Sequence, residues 1–150
     1  MKKTILFLFA ILITGWYTAS ANGNNGIDKS IKRSFENDFK NATNVTWQEK
    51  NGFEKATFSY NNEIMYAYYE LSGRLVSVQR NVTSENLPIA LQSKLKKGYN
   101  NYWITDLFEN DSCDETNYFV TLENSDNILI LQSDGSNSWH PYEKFIKTAN

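Results

Sequence analysis

The chain has 150 residues, with 15 Lys plus Arg against 17 Asp plus Glu, a formal net charge of -2, 41% hydrophobic and 15% aromatic content, one Cys and one His. One cysteine excludes a disulfide framework, and the charge balance excludes a basic nucleic-acid binder. The apolar fraction places the chain on the folded side of the disorder boundary, at the size of one domain.

Lys2 and Lys3 precede the apolar run from Ile5 to Thr14, and Ala19-Ser20-Ala21 follows. This is the pattern of a secretory signal peptide, expected over residues 1–21. The run is too short, and too soon broken by Thr14, Gly15 and Thr18, to read as a retained spanning helix. The only Cys, Cys113, is far from the cleavage point, so no lipid anchor is expected. Residues 22–150 then form one periplasmic or secreted, soluble domain. Loss of Lys2 and Lys3 leaves 13 basic against 17 acidic residues, a formal charge of -4. Such a surface disfavours nucleic acid and anionic lipid as partners.

Ile27, Ile31, Phe35 and Phe39 form an apolar stripe at helical spacing, which predicts a helix over about 28–40. Four β-branched and aromatic runs follow: Val45 to Gln48, Phe53 to Tyr60, Ile64 to Glu70 and Arg74 to Val82. Leu87, Leu91, Leu95 and Tyr99 repeat the stripe, with Pro88 in the first turn and Gly98 near the exit, which predicts a second helix over about 87–99. Four more runs follow: Tyr102 to Asn110, Asn117 to Glu123, Asn127 to Gln132 and about Ser138 to Phe145. Pro141 cannot donate to a ladder and assigns the last run to an edge.

The two sets correspond. The helix stripes match at an offset of 60, as in Phe35 with Leu95, and the strands at 62, as in Phe58 with Val120 and Gly73 with Gly135. The fold class is therefore α+β: a tandem αββββ repeat, about 27–82 and 87–146, forming one antiparallel sheet with two helices on one face. The other face is left open. If Leu71-Ser72-Gly73 is the hairpin loop, Tyr68 lies near Val76 and Tyr66 near Val78, an aromatic and β-branched patch extended by Trp47 or Trp139. Such a patch suits a protein partner better than a small molecule, because an open sheet is broad rather than deep. Tyrosines are also simply good strand residues, and that plainer explanation stands beside the functional one.

Asn44-Val45-Thr46-Trp47, Lys55-Ala56-Thr57-Phe58, Ala67-Tyr68-Tyr69-Glu70-Leu71-Ser72-Gly73 and Leu87-Pro88 together resemble the PepSY-like, beta-lactamase-inhibitor-protein-like family of small exported Bacteroidota proteins. The likeness covers roughly Phe39 to Leu95, and the second half only through its pattern. It implies a curved sheet with helices on the convex side; in the inhibitor itself the concave side grips an enzyme. This chain departs from that inhibitor in having no second Cys and in carrying Tyr102-Trp103-Ile104-Thr105 where the first half has Asn-Val-Thr-Trp.

No nucleophile–base motif, zinc signature, P-loop or dinucleotide fingerprint occurs. His140 beside Pro141 reads as a surface residue, and Cys113 among Asp111, Asp114 and Glu115 is a poor thiolate. The chain thus reads as a non-enzymatic module without a cofactor or bound metal. It would bind a protein or peptide of the cell envelope, as an inhibitor or chaperone of an envelope enzyme, with self-association as a further use of the same face. The alternative is a sensor or carrier of a small ligand or of Ca²⁺ held by Asp111 to Glu115, although that loop lacks the spacing of an EF-hand.

Overall fold

The computed structural model describes residues 26–112 and 115–148; the expected leader and the Cys113-Asp114 pair lie outside the described residues. Helix α1 spans Lys29–Asp38 and is started by Asp28, whose carboxylate accepts the Ser30 N–H at 2.7 Å. The Ser30 hydroxyl first, and then its N–H, hold the Asp28 carboxyl below the usual carboxylate range. Strands β1 (Thr43–Lys50), β2 (Phe53–Tyr60), β3 (Glu63–Tyr69) and β4 (Leu75–Asn81) follow. A 3₁₀ turn at Ser84–Asn86 then leads into α2 (Ile89–Gly98). Asn86 folds back on Thr83, its side-chain oxygen accepting the Thr83 N–H at 3.0 Å and hydroxyl at 2.8 Å. Pro88 serves as the α2 N-cap, and Lys96 and Lys97 in the last turn suit the negative end of the helix dipole. Strands β5 (Trp103–Ser112), β6 (Thr116–Glu123), β7 (Asn127–Ser133) and β8 (Trp139–Ile146) complete the chain.

All eight strands form one antiparallel sheet in chain order, β1 and β8 being its two rims. Pro141 lies on β8 opposite Leu131, at an edge as its missing N–H requires. The chain of β1 bulges between Thr43 and Thr46, where Asn44 takes a φ of 54°.

Both helices pack on the same face. Under α1, Ile31 and Phe35 meet Ala56, Phe58, Ala67 and Tyr69, flanked by Phe39, Trp47 and Tyr60. Under α2, Leu87, Leu91 and Leu95 meet Leu107, Val120, Leu122, Leu131 and Trp139. Burial of each Leu or Phe in these layers is worth about 1.5–3 kcal/mol, which is what holds short helices in place. Polar ties add direction. The Tyr69 hydroxyl donates to Asp38 at 2.9 Å, and the Trp139 indole N–H donates to the Leu91 carbonyl at 3.0 Å. Between the two cores, Arg80 on β4 pairs with Glu109 on β5 at 3.1 Å and with Glu63 at 3.3 Å.

The halves share one pairing scheme. Thr43 pairs with Ser59 and Trp103 with Glu123; Trp47 pairs with Ala56 and Leu107 with Val120; Met65 pairs with Arg80 while Phe58 pairs with Met65 and Leu122 with Leu129. The first strands therefore correspond at an offset of 60 and the later ones at 64, not at the expected 62. The additional residues lengthen the β5–β6 hairpin, with β5 having 10 residues against 8 in β1. Both 62 and 64 are even and leave every side chain on its correct face, so alternation alone could not separate them. Gly73 and Gly135 consequently occupy different places in their two turns.

Candidate functional site

Cross-strand partners share a face, and this fixes what lines the sheet opposite the helices. One row runs Gln48, Lys55, Tyr68, Ser77, Ser112; the next runs Thr46, Thr57, Tyr66, Gln79, Asn110, Asn117. Farther along lie Phe108, Phe119, Gln132 and His140, and beyond them Trp103, Glu123, Ile128 and Phe145.

Tyr66 and Tyr68 stand on this open face, but they are not equally accessible. Tyr66 is half-buried, whereas Tyr68 is 5% exposed. Burial, with Tyr66 beside it, pushes the Tyr68 hydroxyl up to about 12. The expected valine neighbours are displaced. Tyr69 pairs with Leu75, but a bulge then makes Tyr68 pair with Ser77 and Tyr66 with Gln79. Val76 is the additional residue of that bulge and is buried, and Val78 lies opposite Ala67 on the helix side. The patch of Tyr66, Tyr68, Val76 and Val78 is therefore a patch of tyrosines with polar neighbours.

Both tryptophans also belong to the helix side. Trp47 pairs with Ala56, and its ring meets Phe35 edge-on at 5.3 Å. Trp139 sits under α2, bonded to Leu91. They extend the cores and not the open face. In β1 the bulge at Asn44 sets this register; in β8 the indole N–H finds an acceptor in the Leu91 carbonyl of α2.

Lys55 is the side chain that the sequence reading missed. Its ammonium lies 4.2 Å from the centre of the Tyr66 ring and 5.9 Å from that of Tyr68, within cation–π range. Burial, and then the charge of Lys50, hold it below the ordinary lysine range. The signal was present in Asn61-Asn62. Both residues have positive φ, 49° and 66°, as a two-residue hairpin turn demands, and a turn of that length pairs Tyr60 with Glu63 and hence Lys55 with Tyr68.

The second half of this face is aromatic without a helix over it. Phe108 and Phe119 stack at 5.1 Å with 11° between their planes, and Tyr142 meets Phe119 edge-on at 5.6 Å. Ile130, on the same face, is 0% exposed. With Phe108 and Phe119 also buried, this part of the open face is largely closed to solvent. Exposed apolar groups remain at its margins in Ile64, Trp103 and Phe145.

No group of three His, Cys, Asp or Glu suited to a metal occurs among the described residues. Of the acidic loop considered for Ca²⁺, Asp111 accepts from Thr116 at 3.1 Å, and the Ser112 hydroxyl donates to the Glu115 carbonyl at 3.1 Å. His140 is exposed, 3.3 Å from Asp134. No described helix is long and apolar enough to cross a membrane.

No protein-family model matches the sequence, and no curated protein matches it. Solved structures do share its fold. A BLIP-like protein from Bacteroides fragilis superposes with a TM-score of 0.68 at 18% identity, over 85% of this chain and 92% of that one. A DUF2874 family protein from Bacteroides ovatus gives 0.72 at 12% identity, over 82% and 89%. A Bacteroides eggerthii protein provisionally assigned to the periplasm gives 0.71 at 9% identity, over 81% and 89%. The chain thus has the fold of BLIP-like and DUF2874 proteins of Bacteroides, which agrees with the resemblance carried by its first-half motifs.

Proposed function

We propose that the chain is an exported, non-enzymatic module that binds a protein or peptide through the open face of its sheet, in the manner of an inhibitor or chaperone of an envelope enzyme. The observation that carries this reading is the asymmetry of the sheet. Both helices cover one face, and the other presents Tyr66, Lys55 and the exposed Ile64 with no described element over them. Half-buried tyrosines offer contact area at small entropic cost, and an aromatic patch with an apolar margin is the surface composition of protein interfaces. The BLIP-like structural neighbour supports the same reading. Tyr66 is the contacting ring, with Tyr68 beneath it as support.

The test is capture of partners from the producing cell's envelope fraction. Tyr66→Ala and Ile64→Ser should each reduce capture while leaving the circular dichroism unchanged. Ile89→Ser, which alters an 85% exposed side chain on α2, should leave capture intact. Equal capture by all three variants would refute the open face as the docking surface.

A further inference from the structure

The open face holds a cation with no carboxylate partner and a buried hydroxyl with no hydrogen-bond partner among the described residues, and they adjoin the same ring. Lys55 and Ser77 are the two cross-strand neighbours of Tyr68, on β2 and β4. The Lys55 ammonium is held against the Tyr66 and Tyr68 rings, and among the described residues no carboxylate lies within ion-pair distance of it. Lys50, on the same face beside Phe53, adds a second positive charge. The Ser77 hydroxyl is buried and has no hydrogen-bond partner among the described residues. A buried donor left unmade costs about 1–3 kcal/mol, and a half-buried ammonium over two rings keeps part of its desolvation cost uncompensated.

Resting on the docking reading above, we propose that Lys55, Tyr66, Tyr68 and Ser77 form a carboxylate-binding site, and that the partner is a protein segment presenting an Asp or Glu side chain to it. One carboxylate oxygen accepts from the Lys55 ammonium over the Tyr66 ring. The Ser77 hydroxyl, across Tyr68 from Lys55, is a second donor on this face for a polar group of the same segment. An acidic segment is favoured by the Lys55 and Lys50 charges on this face, against the formal charge of -4 that residues 22–150 carry, 13 basic against 17 acidic. Bulk repulsion opposes such a partner, so recognition must come from the local cations and geometry around Lys55.

The experiment titrates the purified protein with two synthetic peptides, a Gly-Glu repeat and the same repeat with Gln, following the Tyr66 and Tyr68 ring resonances by NMR. The Gly-Glu peptide should bind tighter by about tenfold or more, the size expected for one charged hydrogen bond. Lys55→Met should abolish that difference, Lys55→Arg should retain most of it, Ser77→Ala should weaken it, and Lys97→Met on α2 should leave it unchanged. Equal binding of the two peptides, or a preference untouched by Lys55→Met, would overturn the site. If sedimentation shows a dimer that Lys55→Met dissolves, the occupant is a second copy of this chain and the foreign acidic segment is refuted. Failure of the peptide preference with capture still lost in Tyr66→Ala would remove the carboxylate site and leave the docking face standing.

Discussion

The two halves of the sheet use one scaffold and place most of their phenylalanine rings on opposite sides of it. In the first half the aromatics lie under α1, where Phe35 meets Phe58 at 4.9 Å and Phe39 meets Phe58 at 4.6 Å, with Trp47, Tyr60 and Tyr69 around them. In the second half the layer under α2 is mainly aliphatic, and the stacked rings of Phe108, Phe119 and Tyr142 stand on the open face. The same pairing scheme therefore tolerates either composition beneath a helix. What differs is the open face, polar and cationic around Lys55 in the first half and ring-packed in the second.

This contrast can be broken at its strongest point first. Phe35→Ala removes the ring that touches Phe39, Trp47, Phe58 and Tyr69, and should cost about 3–5 kcal/mol in urea unfolding, whereas Leu91→Ala under α2 should cost about 2–5 kcal/mol. A loss for Phe35→Ala well below that for Leu91→Ala would show that the aromatic layer is loosely packed. On the open face, Phe119→Ala should destabilise by about 3 kcal/mol because its ring is buried between Phe108 and Tyr142. Tyr66→Ala should cost under about 1 kcal/mol, as expected for a side chain not enclosed by a core. Similar losses for the two would erase the distinction between a packed half and a half whose open-face rings are loosely held.

The smallest expected effect concerns Glu54, which pairs with Glu49 across β1 and β2 on the helix side. One of its carboxylate oxygens is buried with no hydrogen-bond partner among the described residues. Burial first, and then the charge of Glu49, raise its pKa above the ordinary value. A carboxyl whose folded pKa is raised binds its proton more tightly in the fold, so its charged form weakens the fold above that pKa. Glu54→Gln should accordingly stabilise the protein at neutral pH, with the gain shrinking as pH falls through the carboxylate range. Chemical denaturation at several pH values checks this, and a gain that grew on acidification would reverse the sign.

Most of the architecture was legible because it is written in periodicity. The stripes Ile31–Phe35 and Leu91–Leu95 mark α1 and α2, and eight alternating runs mark the strands in their spatial order. The open face was less legible, because it depends on single additional residues. Val76 shifts the β3–β4 register by one position and sends Val78 to the helix side, and no composition signal distinguishes a bulged valine from a paired one. The tryptophans misled for a related reason. A large amphipathic ring suits an interface or a core equally, and only the helix above Trp47 or the carbonyl of Leu91 decides between them. Lys55 could have been found from the Asn61-Asn62 turn, whereas Ser77 depended on the bulge.

The two rims of the sheet have a bearing on how such a chain stays apart from its own copies. A sheet that ends in free backbone donors and acceptors invites another sheet to continue it, and repeated continuation leads to fibres. Here Pro141 interrupts the donor row of β8, and the irregular start of β1 at Asn44 bends the opposite row out of line. The molecule can thus leave one broad face of its sheet uncovered by helices while denying its copies the strand-to-strand growth that crowding would otherwise drive.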